Sequence, residues 1–272
     1  MPDDAPAMAR LFDAVRPWRE QLVLVGGWAH RLHRLHPDAA VPPYAPIVTR
    51  DADLAFDAER RMEGSIATAL REAGFLEALS GEHVPPVSHF TLGHDGGGFQ
   101  AEFLSPLRGS GLRRDGLGDA TVSAAGVTAQ KLRHLELLLV APWHLELLPG
   151  GALPIAEAAV VRVANPVSFM AQKLLIHALR VDGKKAQDIL YLNDTLELFG
   201  AKLGRMRRCW ADEVRPALAA AQVAQLSELP DALFAAVTDP IRQAARIASG
   251  RGLSAQQIQV RCSAGLGELF AR

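Results

Sequence analysis

Apolar and polar residues in the first half of the chain recur in two patterns that together predict a small sheet with helices. A helical period is present over residues 6–20, 27–35 and 57–74. Short runs that are typical of strands cover residues 21–25, 47–56, 87–92 and 99–104. The last two runs flank His94-Asp95-Gly96-Gly97-Gly98, which favours a hairpin. The proline-rich stretch 38–46 predicts a loop without regular structure.

The second half of the chain is mixed at first and then helical. A helical period covers residues 130–140, and two strand-like runs, 143–148 and 160–164, are separated by Pro149-Gly150-Gly151. Pro166 suits the first position of a helix, with Asn165 as its cap. The predicted helices that follow cover residues 166–181, 184–199, 209–225, 230–248 and 254–270.

The two halves together predict an α+β fold. We expect a small mixed-sheet domain, residues 1–125, followed by a mainly α-helical C-terminal domain, residues 126–272. The boundary between them lies somewhere between residues 125 and 165. Hydrophobic residues make up 49% of the chain, which is enough for a substantial core.

Charge and cysteine content narrow the class of protein. The formal net charge of −1 gives no general attraction to nucleic acid or membranes. Cys209 and Cys262 lie far apart, and we expect free, buried thiols in a reducing compartment. The longest apolar run, residues 135–143, is too short and too interrupted to cross a bilayer. The acidic start of the chain has no signal-peptide character, so we expect a cytoplasmic protein that does not contact membranes.

Candidate chemistry begins where the first predicted strand ends. Gly26 and Gly27 form a tight turn into a helix, whose first backbone N–H groups can bind phosphate. On the next strand, Asp51 and Asp53 are two residues apart and therefore point to the same face. Two neighbouring carboxylates repel each other unless a cation lies between them, and Mg²⁺ prefers such oxygen ligands. The pattern predicts a site for a divalent ion and a nucleoside triphosphate.

A third acid on a neighbouring strand would complete a site for two metal ions. Glu102 is the candidate, because it is an acid inside an apolar strand, where an unpaired charge is costly. It would bind the ion nearer the acceptor and help to take the acceptor's proton. The alternative is an ordinary ion pair of Glu102 with Arg50 or Arg108.

Other polar residues have more ordinary interpretations. His30, His33 and His36 are spread around the second helix, and we expect a solvated face rather than a zinc site. Lys173 starts a cationic row on one helix face, which continues at His177, Arg180 and Lys184. Without a ligand, Lys173 would be a solvated lysine, and Lys184 with Asp188 an ordinary surface pair. Arg205, Arg207 and Arg208 form a basic cluster that is either solvated or in contact with an RNA acceptor.

These motifs carry a family resemblance. Gly26-Gly27, then Asp51-Ala52-Asp53, then an acid on a later strand resembles the polymerase-β-like nucleotidyltransferase superfamily. Lys173, Arg180 and Lys185-Ala186-Gln187-Asp188 are similar to the K…R…(R/K)-x-x-D pattern of AbiEii-type nucleotidyltransferases, which include toxins of type IV toxin–antitoxin systems.

The resemblance implies roles for individual residues. The implied catalytic residues are Asp51, Asp53, Glu102 and Lys173, of which the three acids would hold Mg²⁺ or Mn²⁺. The implied nucleotide-binding residues are Gly26, Gly27, Arg180 and Asp188, with Asp188 either lining the pocket or anchoring a helix pair. The implied reaction moves a nucleoside monophosphate from a nucleoside triphosphate to a hydroxyl of RNA, protein or a small molecule. A cognate antitoxin is a possible partner.

Three other classes of protein stay open at this point. Gly27 stands where many members of the superfamily have serine, which favours a catalytically degenerate protein that binds nucleotide or regulates a partner. A small-molecule nucleotidyltransferase is the enzymatic alternative to an RNA- or protein-modifying toxin. A purely helical interaction protein has no need of the paired aspartates.

Overall fold

The computed structural model describes residues 4–47, 49–93, 98–112, 116 and 118–271, and the chain divides into two units. The first, which we call the sheet unit, comprises Met1–Ala29 and Val48–Ala164. The second, the helical unit, comprises His30–Ile47 and Asn165–Arg272. This division into compact units does not show which part of the chain is active. A catalytic domain over residues 1–125 therefore stays a prediction.

Among the described residues, the sheet unit contains one mixed sheet of nine strands. In chain order they are β1 (Val23–Val25), β2 (Asp51–Ala55), β3 (Leu76–Ser80), β4 (Val87–Leu92), β5 (Phe99–Pro106), β6 (Thr121–Ala124), β7 (Val127–Leu132), β8 (Trp143–Leu147) and β9 (Ala159–Val163). The main path runs β3-β4-β5-β2-β1-β9-β8, and β7 pairs with both β5 and β6. The α+β fold class predicted from the sequence is confirmed.

The register of the central strands gives the sheet two different faces. β1 is antiparallel to β2, with Leu24 beside Leu54, and β2 is parallel to β5, with Leu54 beside Phe103. These three side chains are almost fully buried. Because side chains alternate along a strand, the residues directly before and after each of these three point to the opposite face of the sheet. Helix α1 (Ala5–Ala14) contacts both β5 and helix α3 (Ile66–Glu72).

The opposite face is apolar at one end only. There Val25 and Ala55 pack in a core with Leu138, which lies on a 3₁₀ turn, Glu136–Leu139. Further along the same face of β2 and β5, the positions are polar. This change from apolar to polar positions places Asp51, Asp53 and Glu102 beyond the edge of that core.

Several predicted elements of the sheet unit differ from the structure. Residues 130–140 are not helical, because the chain to Leu132 pairs with β5 and β6 and only Glu136–Leu139 forms a 3₁₀ turn. The helix predicted over 57–74 is confined to Ile66–Glu72, and β3 was not predicted. The hairpin of β4 and β5 is confirmed by their antiparallel pairing, although the turn at residues 94–97 lies outside the described residues.

The described part of the helical unit contains no strand. Helix α2 (Gly26–Leu32) crosses from the sheet unit into it and ends in a 3₁₀ turn, His33–Leu35. The later helices are α4 (Pro166–Ile176), α5 (Asp182–Phe199), α6 (Leu203–Cys209), α7 (Ala220–Phe234), α8 (Asp239–Ile247) and α9 (Ala255–Leu269). Asn165 caps α4 as predicted, since its side chain accepts a 2.8 Å hydrogen bond from the Ser168 backbone.

Two helix predictions in this unit are wrong because the helix breaks inside each predicted range. The predicted helix 209–225 is broken, because a π-helix over Trp210–Val214 and a 3₁₀ turn end in extended backbone at Leu218. The predicted helix 230–248 is two helices, α7 and α8, with Thr238 extended between them.

Cys209 and Cys262 are free and buried, as expected. Within the described ranges, no helix is long and apolar enough to cross a membrane.

Candidate active site

Asp51 and Asp53 lie on one face of β2, as the sequence predicted. Both are half-buried, and the intervening Ala52 is fully buried on the other face. The parallel pairing of β2 and β5 sets Asp53 directly beside Glu102. The register therefore places all three predicted acids on one side of the sheet, at neighbouring positions.

Gly26 lies in close contact with the Asp53 carboxylate. Val25, the last residue of β1, is the register partner of Asp53, so the chain turns into α2 immediately beside that aspartate. Gly26 has a positive φ of 65°, and a Cβ atom at this position would overlap Oδ2 of Asp53. Only glycine meets both requirements. Gly27 follows as a buried residue of the first turn of α2.

Glu102 has a specific partner that the sequence analysis did not consider. Nδ1 of His89, on the adjacent strand β4, lies 3.2 Å from Oε1 of Glu102 and donates to it, since a carboxylate only accepts. Both side chains are about one-quarter exposed. The alternative pairing with Arg108 is wrong, because Arg108 binds Asp57 and Glu59. The antiparallel register of β4 and β5 brings His89 to this position.

The donor chemistry fits a metal ion only in part. Asp51 and Asp53 offer carboxylate oxygens, which are the ligands that Mg²⁺ and Mn²⁺ prefer. Over the described residues, however, no group of three or more His, Cys, Asp and Glu side chains is arranged to hold a metal ion. The two aspartates alone can supply only part of the coordination shell of such an ion. Glu102 accepts a hydrogen bond from His89 through Oε1, and its role as a metal ligand stays a prediction.

The second predicted set of residues forms a buried cluster in the helical unit. Nζ of Lys173 lies 2.7 Å from Oδ1 of Asp188, and Nε of Arg180 donates to Oδ2 of Asp188 at 3.1 Å. Lys173 and Asp188 are almost completely buried. Lys173 also lies over the rings of Phe169 and Tyr191, at 5.4 and 5.5 Å from their centroids. Asp188 thus joins α4 to α5 by binding both cations.

This cluster corrects three expectations. Lys173 is not a solvated lysine, and Asp188 is not part of a surface pair with Lys184. The predicted cationic row on one helix face is also wrong, because α4 ends at Ile176 and the backbone is extended at Arg180. The prediction assumed one continuous helix, whereas the break lets Arg180 reach the same carboxylate as Lys173.

The buried histidines were missed by the sequence analysis. His30 and His33 are fully buried, and the rings of Phe169, Tyr191 and Phe199 surround them. Burial, reinforced by the nearby His33 and other cationic groups, lowers the pKa of His30 well below 6.5. The expected solvated face is therefore wrong. A signal was present, because α2 carries so few charged residues that it is suited to burial on all sides.

The proline-rich loop is held in the helical unit by polar contacts. The Tyr44 hydroxyl donates to Oε2 of Glu197 at 2.8 Å, and the guanidinium of Arg251 lies 4.0 Å above the Tyr44 ring. Arg251 also donates to the buried Asp194 at 2.7 Å. Burial raises the pKa of Tyr44, so the hydroxyl stays protonated and can serve as a donor. The predicted absence of regular structure over 38–46 is confirmed.

Comparison with known proteins bears on both predicted sets of residues, the acids of the sheet unit and the Lys173–Asp188 cluster. A family profile described as Nucleotidyltransferase matches residues 4–215. The chain belongs to this nucleotidyltransferase family. The match includes every candidate site residue from Gly26 to Asp188 and ends before α7, so the last three helices lie outside it. No curated protein matches the chain.

Proposed function

We propose that the protein transfers a nucleoside monophosphate from a nucleoside triphosphate to an acceptor hydroxyl and releases pyrophosphate, with Mg²⁺ or Mn²⁺ held by Asp51 and Asp53. Membership of a nucleotidyltransferase family supports nucleotidyl transfer in general. The observation that carries the finer proposal is the close fit of Gly26 against the Asp53 carboxylate. Because Gly26 has no side chain, the turn into α2 lies directly against this carboxylate, and the first backbone N–H groups of α2 can bind a phosphate beside it.

The chain's own residues would then have distinct tasks. Gly26 and Gly27 would bind the triphosphate through backbone N–H groups, and Asp53 would be held in place by its contact with Gly26. A bound divalent ion would offset the negative charge of the reacting phosphates. Glu102, oriented by His89, would accept the proton of the attacking hydroxyl.

In the helical unit, the contacts favour a structural role for Asp188. Because this carboxylate binds both Lys173 and Arg180, it is suited to anchoring α4 to α5. A direct contact of Lys173 or Arg180 with the triphosphate stays a prediction from the resemblance. The same holds for AbiEii-type membership, for a toxin role and for a cognate antitoxin.

The second candidate is a degenerate nucleotidyltransferase that binds nucleotide without turnover. One point favours it: by the resemblance, Gly27 stands where many members of the superfamily have serine. Such a protein would be stabilised by a nucleoside triphosphate with Mn²⁺, since a ligand that binds only the folded state raises the melting temperature. It would transfer nothing.

A labelling experiment separates the two candidates. Each α-³²P-labelled nucleoside triphosphate is incubated with Mg²⁺ or Mn²⁺, total RNA and cell extract, and the wild type is compared with Asp53→Asn. Asp13→Asn is the matched control, because Asp13 is an exposed aspartate on α1. We expect label with the wild type and the control, and a loss of at least about 100-fold with Asp53→Asn. Equal labelling by all three proteins would refute the proposal. Nucleotide-dependent stabilisation without label would favour the degenerate candidate.

A further inference from the structure

Strand register arranges the polar residues around the two aspartates in two rows on one face of the sheet. The rows, each taken from β2 through β5 to β4, are Asp53–Glu102–His89 and Asp51–Gln100–Thr91. Neighbouring strands are about 4.8 Å apart, so each row extends about 10 Å. The face that carries the aspartates therefore continues onto the hairpin of β4 and β5.

The chemistry of nucleotidyl transfer sets the side from which the acceptor approaches, and this step rests on the proposed function. The acceptor oxygen forms a bond to the α-phosphorus and gives its proton to Glu102. The bond from that phosphorus to the leaving oxygen breaks, and its electron pair leaves with pyrophosphate. The attacking and leaving oxygens lie roughly in line, on opposite sides of the phosphorus. With the triphosphate at Gly26 and Gly27, on the β1 side of Asp53, the acceptor lies on the other side, over β5 and β4.

The strands on this acceptor side carry acids but no fixed positive charge. Residues 72–107, which include β3, β4 and β5, contain no lysine or arginine, although the whole chain has 29. The acids of this stretch are Glu72, Glu77, Glu82, Asp95 and Glu102. The arginines that flank it both have acidic partners, since Arg71 lies 3.7 Å from Glu77 and Arg108 binds Asp57.

The two rows also offer neutral hydrogen-bonding groups to a bound molecule. Gln100 is exposed, and Thr91 is half-buried on the neighbouring strand. Their amide and hydroxyl groups can both donate and accept, whereas the Glu102 carboxylate only accepts. A molecule that carries N–H donors next to its hydroxyl can bind to all three side chains.

We propose that the acceptor lies over β5 and β4 and that its hydroxyl belongs to a cationic molecule, with ammonium or guanidinium groups close to that hydroxyl. A surface whose charges have one sign attracts ligands of the opposite sign and repels those of the same sign. RNA is the alternative acceptor, but it carries a phosphate at every nucleotide and is bound largely through Lys and Arg, which these strands lack. Amino sugars and Lys- or Arg-rich protein segments share the proposed chemistry.

The first experiment determines the charge of the acceptor before its identity is known. A cell extract is passed over a cation exchanger or an anion exchanger, and each flow-through is incubated with the full chain, Mg²⁺ or Mn²⁺ and α-³²P-labelled nucleoside triphosphates. We expect labelling to survive the anion exchanger, which removes RNA, and to fall at least about 10-fold after the cation exchanger. Protease digestion of the labelled product then distinguishes a protein from an amino sugar. Label that is lost on the anion exchanger, is destroyed by RNase or survives both exchangers would overturn the proposal.

The second experiment tests the position of the acceptor with Thr91→Lys, which adds a positive charge on β4, about 10 Å from β2. The acceptor probe is the fraction eluted from the cation exchanger. We expect KM for this fraction to rise at least about 10-fold through repulsion between like charges, whereas KM for the nucleoside triphosphate stays within about twofold. Thr91→Met has a side chain of similar length without charge, and Thr238→Lys adds the same charge at an exposed position between α7 and α8.

Both control variants should resemble the wild type. An unchanged KM for Thr91→Lys, or an equal rise for Thr91→Met, would show that the acceptor does not lie over β4. The failure of this inference differs from the failure of the proposed function. If the wild type labels nothing in untreated extract, both fall. If label appears, depends on Asp53 and is lost on the anion exchanger, the proposed function stands and the cationic acceptor falls.

Discussion

Lys173 and Asp188 form an ion pair that is almost entirely removed from solvent. Nζ and Oδ1 are 2.7 Å apart, and only 7% and 3% of the two side chains are exposed. Two buried charges stabilise a fold only when they satisfy each other, because the loss of one leaves the other desolvated and unpaired. Arg180, which binds the second oxygen of Asp188, is 36% exposed and keeps access to water.

The first prediction follows from the different exposure of Lys173 and Arg180, the two cations that bind Asp188. Asp188→Asn should lower the free energy of unfolding by about 3–5 kcal/mol, because Lys173 then loses its anion in a buried site. Arg180→Gln, the control, should cost about 1 kcal/mol or less, since a partly exposed pair contributes little. Urea unfolding followed by helical circular dichroism measures both. A smaller cost for Asp188→Asn than for Arg180→Gln would contradict the buried pair.

The second prediction concerns the contact of Gly26 with Asp53. Gly26→Ala should abolish nucleotidyl transfer, because the new methyl group displaces the Asp53 carboxylate. Gly109→Ala is the matched control: Gly109 has nearly the same φ, 68°, but a Cβ atom there meets nothing within 4 Å. Both substitutions cost about 1–2 kcal/mol in backbone strain, and Gly26→Ala adds the cost of displacing Asp53, so it should lower the thermal unfolding temperature more than the control does. The labelling assay should separate them. Normal transfer by Gly26→Ala would show that the position of Asp53 is not critical.

The third prediction concerns stability at acidic pH. Burial lowers the pKa of His30 in the folded protein, whereas the unfolded chain takes up this proton below pH 6.5. The stability is therefore complete above pH 6.5 and falls below it, by about 1.4 kcal/mol per pH unit for this histidine. His30→Phe keeps an aromatic ring beside Phe169 and Tyr191 but cannot titrate.

Unfolding measured between pH 7.5 and 5.5 checks this prediction. We expect His30→Phe to lose less stability than the wild type on acidification, with part of the slope remaining because burial also lowers the pKa of His36 and His177. His83→Gln is the control, since His83 is exposed. Identical acid slopes for the wild type and His30→Phe would contradict a neutral, buried His30.

The features that depend on local sequence were predicted well. The alternation of side chains along a strand is a property of the backbone, so the shared face of Asp51 and Asp53 follows from their spacing alone. Asn165 and Pro166 mark the start of α4 for an equally local reason, which is the geometry of a helix cap. The turn at Gly26 was also predicted, but its contact with the Asp53 carboxylate, which requires glycine, was not.

The features that depend on distant residues were not predicted. The apolar residues 135–139 resemble one side of a helix, yet the chain just before them pairs with β5, a strand that lies about 25 residues earlier along the chain. His89 became the partner of Glu102 through strand register, and His30 became buried because aromatic residues far along the chain surround it. Gly26 owes its lack of a side chain to a carboxylate on another strand.

The short stretch His30–Ile47 has a consequence for how this gene could be divided or recombined. It belongs to the helical unit, although the chain on both sides of it belongs to the sheet unit. A fragment that starts at Asn165 would lack His30 and His33 and would expose the aromatic rings that cover them. Recombination at residue 164 would therefore separate partners that must be inherited together. Substitutions on α2 and on α4 or α5 are expected to arise as compensating pairs, despite more than 130 intervening positions.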